Sequence, residues 1–308
     1  MPKILTALCI TIFLVACGDD SSSVSASVPS SETSSSNSII SNNSEKSSDS
    51  KINDKIISSS SASEANRTTT SSTTSDSNIS SSSVIKSIAC KTETEDNCVY
   101  DSIIDERDGQ TYKTVKIGNQ WWMAENLNYA DSVKTPSLRE RNWCYNDSAK
   151  YCAKYGRLYT WAAAIDSSKL YDSGNGVNCG DGIMCTLPEK IQGLCPNGWH
   201  LPKLAEWEIL FAQVGGDSIA GKILMSQKDW THNENGSDIY GFNALPAGGT
   251  NLKGQFNSIG DYTFFWIAET ANEDYAYYVC LYYEDERALL IYSYKKTAHS
   301  VRCVKDTE

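Results

Sequence analysis

The sequence predicts an α+β fold for residues 89–308, with two short helices and a mainly antiparallel sheet. Apolar and polar side chains alternate along residues 112–117 and again along residues 120–125. A Gly-Asn turn separates the two runs, which together predict a β-hairpin. Apolar residues recur at steps of three and four over residues 204–214, as they do on one face of a helix. Apolar residues thus repeat every two residues in one part of the sequence and about every 3.6 residues in another, which indicates that the domain contains both strands and helices.

The other elements follow from composition. Residues 156–165 contain an Ala run and predict the other short helix, whereas residues 172–195 are rich in Gly and Asn and predict a loop. One of the adjacent Trp121 and Trp122 should lie in the core and the other nearer the surface, because neighbours in a strand point to opposite faces. Aromatic and apolar clusters predict four further strands, at residues 264–268, 275–283, 288–294 and 300–304.

The 308-residue chain divides into a polar part and an aromatic part. No aromatic residue occurs between Phe13 and Tyr100, and all eight Trp follow residue 120. Thirty of the 70 residues in 18–87 are Ser. Such a segment cannot bury enough apolar surface to offset its ordering entropy, so we expect residues 17–88 to be a disordered Ser/Thr-rich tether. The remaining residues are enough for one core without a second domain.

Residues 1–16 have the pattern of a lipoprotein signal peptide. Their apolar run is too short to cross a bilayer as a mature helix and fits a secretory signal. The sequence Leu-Val-Ala-Cys that ends at Cys17 resembles a bacterial lipobox, so Cys17 is the expected lipidation site. An ordinary signal peptide with a chance Cys is the alternative. Gly18 follows the Cys in place of Asp, which by that resemblance favours the outer membrane or cell surface. Contact with the bilayer is expected through the Cys17 lipid alone.

The charge and the catalytic motifs exclude several functions. Residues 88–308 hold 21 basic and 30 acidic side chains, which disfavours nucleic acid as a partner. The chain has no Gly-x-Ser-x-Gly, phosphate loop or Cys-x-x-Cys sequence, so we expect no catalytic residue, cofactor or metal. Residues 172–181 look like a calcium loop, but Gly174 stands where an oxygen ligand is needed. We expect a structural hydrogen bond from His200, while His232 and His299 have no partner that the sequence indicates.

Nine of the eleven cysteines follow Cys17, and in an exported chain they are expected to form disulfides. Nearness in the sequence and the closing strand predict three pairs: Cys90–Cys98, Cys144–Cys152 and Cys280–Cys303. Three more cysteines lie in the predicted loop: Cys179, Cys185 and Cys195. Two of these should pair and leave one over.

Aromatic residues are more numerous than one core requires, with seventeen Tyr and eight Trp. Flat rings stack on the faces of sugars, so the excess suggests a polysaccharide-binding surface. The alternative is that alternating Tyr residues merely cover a sheet. Five tyrosines cluster in the predicted hairpin over residues 275–294: Tyr275, Tyr277, Tyr278, Tyr282 and Tyr283. The candidate ligand-binding residues are Trp122, Trp143, Trp230, Tyr278 and Tyr282.

Six stretches together resemble the Fibrobacter succinogenes major paralogous domain. They are DGQTY at 108–112, WMAENLNY at 122–129, GRLYTW at 156–161, CPNGWHLP at 195–202, GFNALPAG at 241–248 and SVRCVKD at 300–306. The family occurs in exported lipoproteins, and its biochemical role is not established. The chain departs from the family at Lys203, where a Ser or Thr is usual. The lost hydroxyl cap is expected to cost about 1 kcal/mol.

The order of helices, CPNGWHLP segment and closing strand also resembles, more distantly, the C-type lectin-like fold. That fold includes sugar-binding lectins and formylglycine-generating enzymes. If its long-range bridge is copied, Cys303 would instead bond a residue near the first helix. The lectin calcium signatures Glu-Pro-Asn and Trp-Asn-Asp are absent, which disfavours calcium-dependent sugar binding.

The resulting expectation is a surface-tethered, non-catalytic binding or adhesion module for polysaccharide. A structural envelope component that binds other surface proteins is the alternative. An enzyme related to the formylglycine-generating enzymes is a minor one.

Overall fold

The computed structural model describes residues 86–172 and 179–307. The predicted signal peptide, Cys17 and nearly all of the predicted tether precede residue 86 and lie outside the described residues. Residues 173–178, in the middle of the predicted Gly- and Asn-rich loop, also lie outside them. In the described part of the chain, no helix is both long enough and apolar enough to cross a membrane.

The described residues form an α+β fold in which the named strands pair in antiparallel fashion. The largest sheet has five strands, which in spatial order are β1 (Tyr100–Ile104), β2 (Thr111–Ile117), β3 (Gln120–Met123), β13 (Val304–Lys305) and β6 (Trp199–His200). The predicted hairpin is confirmed as β2 and β3. Trp122 is fully buried and Trp121 is half-buried, as the alternation predicts. Val304 pairs with both Trp122 and His200, so the end of the chain lies inside the sheet.

The other named strands form three smaller sheets. One has the order β11 (Asp285–Tyr294), β10 (Tyr275–Tyr282) and β9 (Tyr262–Thr270). The second has the order β12 (Ala298–His299), β5 (Leu158–Thr160) and β4 (Asn142–Trp143). The third pairs β7 (Gly249–Thr250) with β8 (Phe256–Asn257). The strands predicted over residues 264–268, 275–283 and 288–294 are therefore confirmed.

The single strand predicted over residues 300–304 is wrong, because residues 300–303 separate β12 from β13. The backbone N–H of Ser300 donates to the Phe264 carbonyl, and the N–H of Trp266 donates to the Ser300 carbonyl. This segment therefore runs along β9 as an isolated parallel bridge before the chain reaches the five-stranded sheet.

Five α-helices occur in the described residues: α1 (Ala149–Tyr155), α2 (Trp161–Ala164), α3 (Ser167–Leu170), α4 (Leu204–Val214) and α5 (Asp217–Leu224). Three short 3-10 helices accompany them, at Pro136–Leu138, Tyr145–Asp147 and Thr231–Asn233. The expectation of two helices is therefore wrong in number, although the helix predicted over residues 204–214 is confirmed as α4. The helix predicted over residues 156–165 is divided, because its first part forms β5. The Thr160 hydroxyl accepts from the Ala163 N–H at 3.4 Å, which starts α2 only after that strand.

The predicted apolar face of α4 packs into the core between the sheets. The Trp207 ring lies 4.6 Å from the Trp122 ring of β3 and 5.7 Å from the Phe265 ring of β9. Phe242 adds a third contact, with its ring centroid 6.0 Å from that of Trp207. All four side chains are fully buried. One aromatic cluster therefore joins α4 to the five-stranded sheet and to the β9–β11 sheet.

Carboxylates cap the start of α4 in place of the hydroxyl that Lys203 displaces. The Leu204 N–H donates to Glu269 Oε1 of β9 at 3.0 Å, and the Lys203 N–H donates to Glu206 Oε2 at 3.0 Å. Negative charge at this end also complements the helix dipole. The loss expected at Lys203 is thus offset, in part by a strand that lies far away in the sequence.

Four disulfides occur in the described residues: Cys90–Cys98, Cys144–Cys152, Cys179–Cys185 and Cys195–Cys303. The first two predicted pairs are confirmed, as is the pairing of two of the three loop cysteines. The predicted Cys280–Cys303 pair is wrong, because Cys303 is bonded to Cys195. Cys280 is buried in β10 as a thiol. Since β13 pairs with β6, the chain brings Cys303 beside Cys195 instead.

The segment at residues 87–98, which we call the N-terminal clip, lies against the body of the fold. The Ser87 N–H donates to the Gln213 carbonyl at the end of α4, at 2.9 Å. Lys91 forms an ion pair with the buried Asp238 at 2.7 Å. The first disulfide closes the clip into a ring.

Candidate functional site

Four tyrosines of β10 and β11 share one face of their sheet, and we call them the tyrosine patch: Tyr275, Tyr277, Tyr292 and Tyr294. Tyr275 lies opposite Tyr294, and Tyr277 lies opposite Tyr292. Directly opposite residues in an antiparallel pair, and residues two apart along one strand, point to the same face. The register of the hairpin therefore brings the four side chains together.

The same face is covered at the other end of the hairpin, where α5 packs on it. At Gly221 of α5, a Cβ atom would lie 2.3 Å from the Arg287 carbonyl oxygen, so only a glycine permits this approach. Leu281 is buried at that end. Along β11 the exposure on this face rises from 4 % at Ala288 to 40 % at Tyr292. The helix thus protects one half of the face and leaves the tyrosines in contact with solvent.

The rings of the patch contact one another but are not coplanar. The Tyr275 and Tyr294 centroids lie 4.3 Å apart with the planes inclined by 42°. Tyr292 meets Tyr275 at 5.4 Å and 77°, and meets Tyr277 at 6.3 Å and 87°. The patch is therefore continuous but not flat, because some rings meet edge to face.

Tyr275 is uncharged at neutral pH. A hydrogen bond with Tyr294, with smaller effects of burial and neighbouring charge, raises the pKa of Tyr275 to about 12. The Lys296 ammonium lies 5.4 Å from the Tyr294 ring centroid, as in a cation–π contact. Each phenol hydroxyl can both donate and accept a hydrogen bond. The surface combines apolar ring area with polar hydroxyl groups.

Backbone contacts hold the base of the patch. The Tyr275 N–H donates to Asn272 Oδ1 at 2.9 Å. The Lys295 N–H donates to the Asp274 carbonyl at 2.8 Å, and the Lys295 ammonium donates to the Glu273 carbonyl at 2.8 Å. Burial lowers the pKa of Lys295. The turn before β10 and the end of β11 are thus tied together, which fixes the spacing of the tyrosines.

Three of the five candidate aromatic residues are buried in the structure. Trp122 is 0 %, Trp230 4 % and Tyr278 2 % exposed. The Trp230 indole N–H donates to the Ser226 hydroxyl at 3.0 Å. The Tyr278 ring packs 4.7 Å from the His299 ring. Their ring faces therefore pack against the interior.

The other two candidates keep partial exposure but do not belong to the patch. Tyr282 stacks on Tyr262 with the centroids 4.3 Å apart and the planes inclined by 9°, so one of its faces is occupied. Trp143 lies in β4, opposite Leu158 of β5. Neither residue contacts the four tyrosines through the register of β10 and β11.

Tyr292 and Tyr294 are not among the five candidate residues that the sequence indicates. Their spacing of two residues within a predicted strand was the available signal, because it places both on one face. The sequence could not show that Tyr275 and Tyr277 lie opposite them. It also could not show that α5 stops short of this half of the sheet.

A separate open cleft of about 440 Å³ contains a second, smaller aromatic surface. The His232 and Tyr283 rings lie 5.2 Å apart at its wall. The Tyr283 hydroxyl donates to Glu284 at 2.8 Å, and Lys222 lies 3.5 Å from a Glu234 carboxylate oxygen. Lys222 is thus paired with Glu234, and the cleft offers fewer rings than the patch.

His200 forms the structural hydrogen bonds expected of it. Its Nδ1 lies 2.6 Å from Asp306 Oδ1, and its Nε2 lies 2.8 Å from Glu206 Oε1. Burial disfavours the imidazolium, but the hydrogen bonds and charges of the two carboxylates outweigh burial and raise the pKa of His200. Both ring nitrogens therefore bridge the end of the chain to the first turn of α4.

His299 lies within a cage of aromatic rings. Its ring is stacked 4.2 Å from the Trp266 ring, and it is fully buried. Burial lowers the pKa of His299 to about 3, so it is neutral at ordinary pH. Its Nε2 lies 3.3 Å from the Thr297 hydroxyl. This arrangement makes it a packing residue.

Within residues 86–172 and 179–307, no three His, Cys, Asp or Glu side chains are grouped so that they could hold a metal ion. The stretch at residues 172–181 that looks like a calcium loop lies mostly outside the described residues, since 173–178 are not among them.

Comparison with known proteins gives one match. The family model described as the Fibrobacter succinogenes major domain matches residues 115–305. No curated protein matches the chain. No solved structure matches it either. The matched residues include α4, the Cys195–Cys303 disulfide and the tyrosine patch, whereas β1 and the N-terminal clip precede them.

Proposed function

The chain belongs to the Fibrobacter succinogenes major domain family, and we propose that it is a non-catalytic module that binds polysaccharide at the cell surface. The tyrosine patch carries this proposal. Four tyrosine rings lie side by side on the β10–β11 hairpin, with Tyr292 40 % exposed. A monomeric fold has no structural need for so much aromatic surface in contact with water.

The chemistry of the patch suits sugars. The apolar C–H groups on the face of a pyranose ring pack on aromatic faces, which buries apolar area and gains dispersion energy. The phenol hydroxyls can exchange hydrogen bonds with the sugar hydroxyls. Ring planes inclined by 42° to 87° fit a single chain whose units are rotated relative to one another better than they fit a flat crystalline face. We therefore propose a soluble or amorphous glycan chain as the ligand.

We also propose where in the cell the protein is located. Lipid on Cys17 would hold the chain at the outer membrane or cell surface, and residues 17–88 would separate the domain from the membrane. A flexible coil of that length has a root-mean-square span of about 45–50 Å. We also propose that the domain has a C-type lectin-like arrangement. Replacement of Cys17 by Ser should move the protein from the membrane fraction to the soluble fraction. Continued retention in the membrane would contradict lipidation.

A protein partner is the second candidate, because tyrosines are also enriched at protein interfaces. In that case the protein would be a structural component of the envelope that binds other surface proteins through the same patch. The two functions differ in the ligand that the tyrosines retain.

Retention on insoluble and soluble polysaccharides tests the first function. The Cys17→Ser chain should bind at least one plant or cell-wall glycan, and Tyr275→Ala/Tyr292→Ala should weaken that binding about tenfold or more, as the loss of stacking predicts. Tyr171→Ala is the matched control, since Tyr171 is 55 % exposed elsewhere. If no glycan is retained while crosslinking through the patch captures a surface protein, the second function replaces the first.

A further inference from the structure

Lysine side chains gather around a second cleft that the tyrosine patch does not include. The cleft has a volume of about 350 Å³, and its wall contains Lys91, Lys113 and Lys228 beside Tyr100. We call it the lysine cleft. Its volume lies at the lower end of the range for small-molecule sites, about 300–1,000 Å³. Tyr100 and Lys113 come from β1 and β2, so part of the cleft precedes the residues that the family model matches.

Two of the three lysines are already held in place. Lys91 is paired with the buried Asp238 at 2.7 Å. The Lys113 ammonium lies 3.5 Å from the centroid of the Tyr100 ring. A side chain that is ordered before binding loses less conformational entropy when a ligand arrives. Lys228 is exposed at the rim.

The carboxylates of the cleft are engaged by donors of the protein. Glu125 accepts the backbone N–H of Lys113 at 2.7 Å. Asp238 accepts both the Lys91 ammonium and the backbone N–H of Asn243, each at 2.7 Å. Among the described residues, no carboxylate lies within ion-pair distance of the Lys113 or Lys228 ammonium. These two cations are therefore available to a ligand.

A buried cation lies behind the floor of the cleft. Arg302 is 0 % exposed and donates to Asn126 Oδ1 and to the backbone carbonyls of Phe242 and Asn243. None of the described carboxylates forms an ion pair with it. Burial lowers the pKa of Arg302 to about 9, so it is still charged at neutral pH. Since Asn243 also lines the cleft, this charge adds to the positive potential there, against the negative charges of Asp238 and Glu125.

We propose that the lysine cleft binds an anionic sugar through its carboxylate or phosphate group. Lys113 and Lys228 pair with the anion, and the Gln227 and Asn243 amides at the wall can bind sugar hydroxyls. The domain as a whole is acidic, with 30 acidic against 21 basic side chains over residues 88–308, so general attraction of anions does not explain such binding. The site uses different residues from the tyrosine patch and does not depend on it.

Calorimetric titration of the Cys17→Ser chain tests the proposal with four probes: glucuronate, glucose 6-phosphate, inorganic phosphate and glucose. The charged sugars should bind, glucose should bind about tenfold more weakly or not at all, and added salt should weaken the charged sugars. Lys113→Met/Lys228→Met, which keeps the apolar stems, should lower their affinity about tenfold or more, as the loss of two charge-assisted contacts predicts. Lys116→Met/Lys253→Met removes the same charge from exposed positions and should leave the affinity unchanged.

Each result bears on the proposal. If inorganic phosphate binds as tightly as glucose 6-phosphate, the ligand is not recognised as a sugar, because the anion alone then supplies the affinity. If the Lys113→Met/Lys228→Met and Lys116→Met/Lys253→Met variants bind the charged sugars with equal affinity, the lysine cleft is not the binding site. The proposal is also contradicted if neither charged sugar binds. If the cleft variant is misfolded by circular dichroism, Lys228→Met alone, at an exposed position, replaces it. The Tyr275→Ala/Tyr292→Ala variant should bind glucuronate normally, which separates this site from the patch.

Discussion

Tyr275 and Tyr294 lie directly opposite each other at the open end of the β10–β11 hairpin, with their ring centroids 4.3 Å apart. The hydrogen bond between them is the main reason that the pKa of Tyr275 is raised to about 12. Tyr294→Phe should therefore lower the pKa of Tyr275 towards the usual value of about 10. A pH titration of the labelled Tyr275 Cζ carbon by NMR measures it. Tyr277→Phe is the control, and an unchanged Tyr275 pKa in Tyr294→Phe would show that the bond is absent.

The Cys195–Cys303 disulfide should dominate the covalent stabilisation of the domain. It joins residues 108 apart, whereas Cys179 and Cys185 are 6 apart. By loop entropy, Cys195→Ala/Cys303→Ala should cost about 4–5 kcal/mol, and Cys179→Ala/Cys185→Ala about 2 kcal/mol. Urea unfolding measures both. Mass mapping of the native protein should recover a peptide that links 195 to 303, and the Cys280 thiol should react only after unfolding. A 280–303 peptide would refute this connectivity.

His200 should stabilise the fold more in mild acid than in mild base. Its native pKa is raised above the unfolded value of about 6.5, so its contribution is fully present below about pH 6.5 and is lost as the pH rises through the native pKa. His200→Gln should cost about 2 kcal/mol near pH 6, where a charged hydrogen-bonding group is removed, and less near pH 9. His232→Gln, at an exposed position, is the control. A cost that does not change with pH would indicate that His200 is neutral throughout.

His299 should have the opposite pH dependence. Its native pKa is about 3, whereas an unfolded His titrates near about 6.5. The unfolded state therefore takes up a proton that the native state refuses, and stability falls by up to about 1.4 kcal/mol per pH unit as the pH drops from about 6 to about 4. His299→Gln removes this penalty. The difference in unfolding free energy between the wild type and the variant should change with that slope. Parallel curves would mean that the buried ring is protonated.

Glu269 should contribute more to the stability of the fold than a residue at the end of a strand usually does. Its carboxylate accepts the Leu204 N–H at 3.0 Å, where a hydroxyl cap is missing. Glu269→Ala should cost about 1 kcal/mol, and Lys203→Ser in that background should restore part of it, because the serine hydroxyl would cap the N–H of Ala205 or Glu206 although the Leu204 N–H stays uncapped. Lys203→Ser alone should have little effect. Thermal unfolding of the four proteins gives the coupling, and additive effects would show that the two caps are independent.

Local spacing accounts for the parts of the fold that the sequence predicts well. The β2–β3 hairpin, α4 and the disulfides between near cysteines depend on neighbours within about ten residues, so their signals lie in short windows. The partner of Cys303 depends instead on β13 lying between β3 and β6. The order of strands in a sheet is a property of the whole chain, and no spacing of cysteines reveals it.

The candidate site was predictable as a region but not as a set of residues. The sequence indicates the aromatic hairpin, but it does not indicate which tyrosines are exposed. Tyr277 is half-exposed, whereas the adjacent Tyr278 is 2 % exposed. Alternation along a strand defines two faces but does not say which one the rest of the protein covers. That choice depends on α5 and on the aromatic packing around His299, which are tertiary contacts.

The N-terminal clip determines where mechanical load would enter the domain. A pull on the chain ahead of residue 86 would reach the Ser87–Gln213 bond first and then the bond from the Cys90 N–H to the Ile239 carbonyl. The Cys90–Cys98 ring would prevent the clip from extending further within itself, so the load would pass to β1 at the edge of the five-stranded sheet. The antiparallel hydrogen bonds of β1 and β2 would then resist peeling, while the tyrosine patch lies on the separate β9–β11 sheet. Traction on the chain would thus be borne by the clip and the five-stranded sheet, which also carry Lys91, Tyr100 and Lys113 of the lysine cleft, and not by the sheet that carries the tyrosine patch.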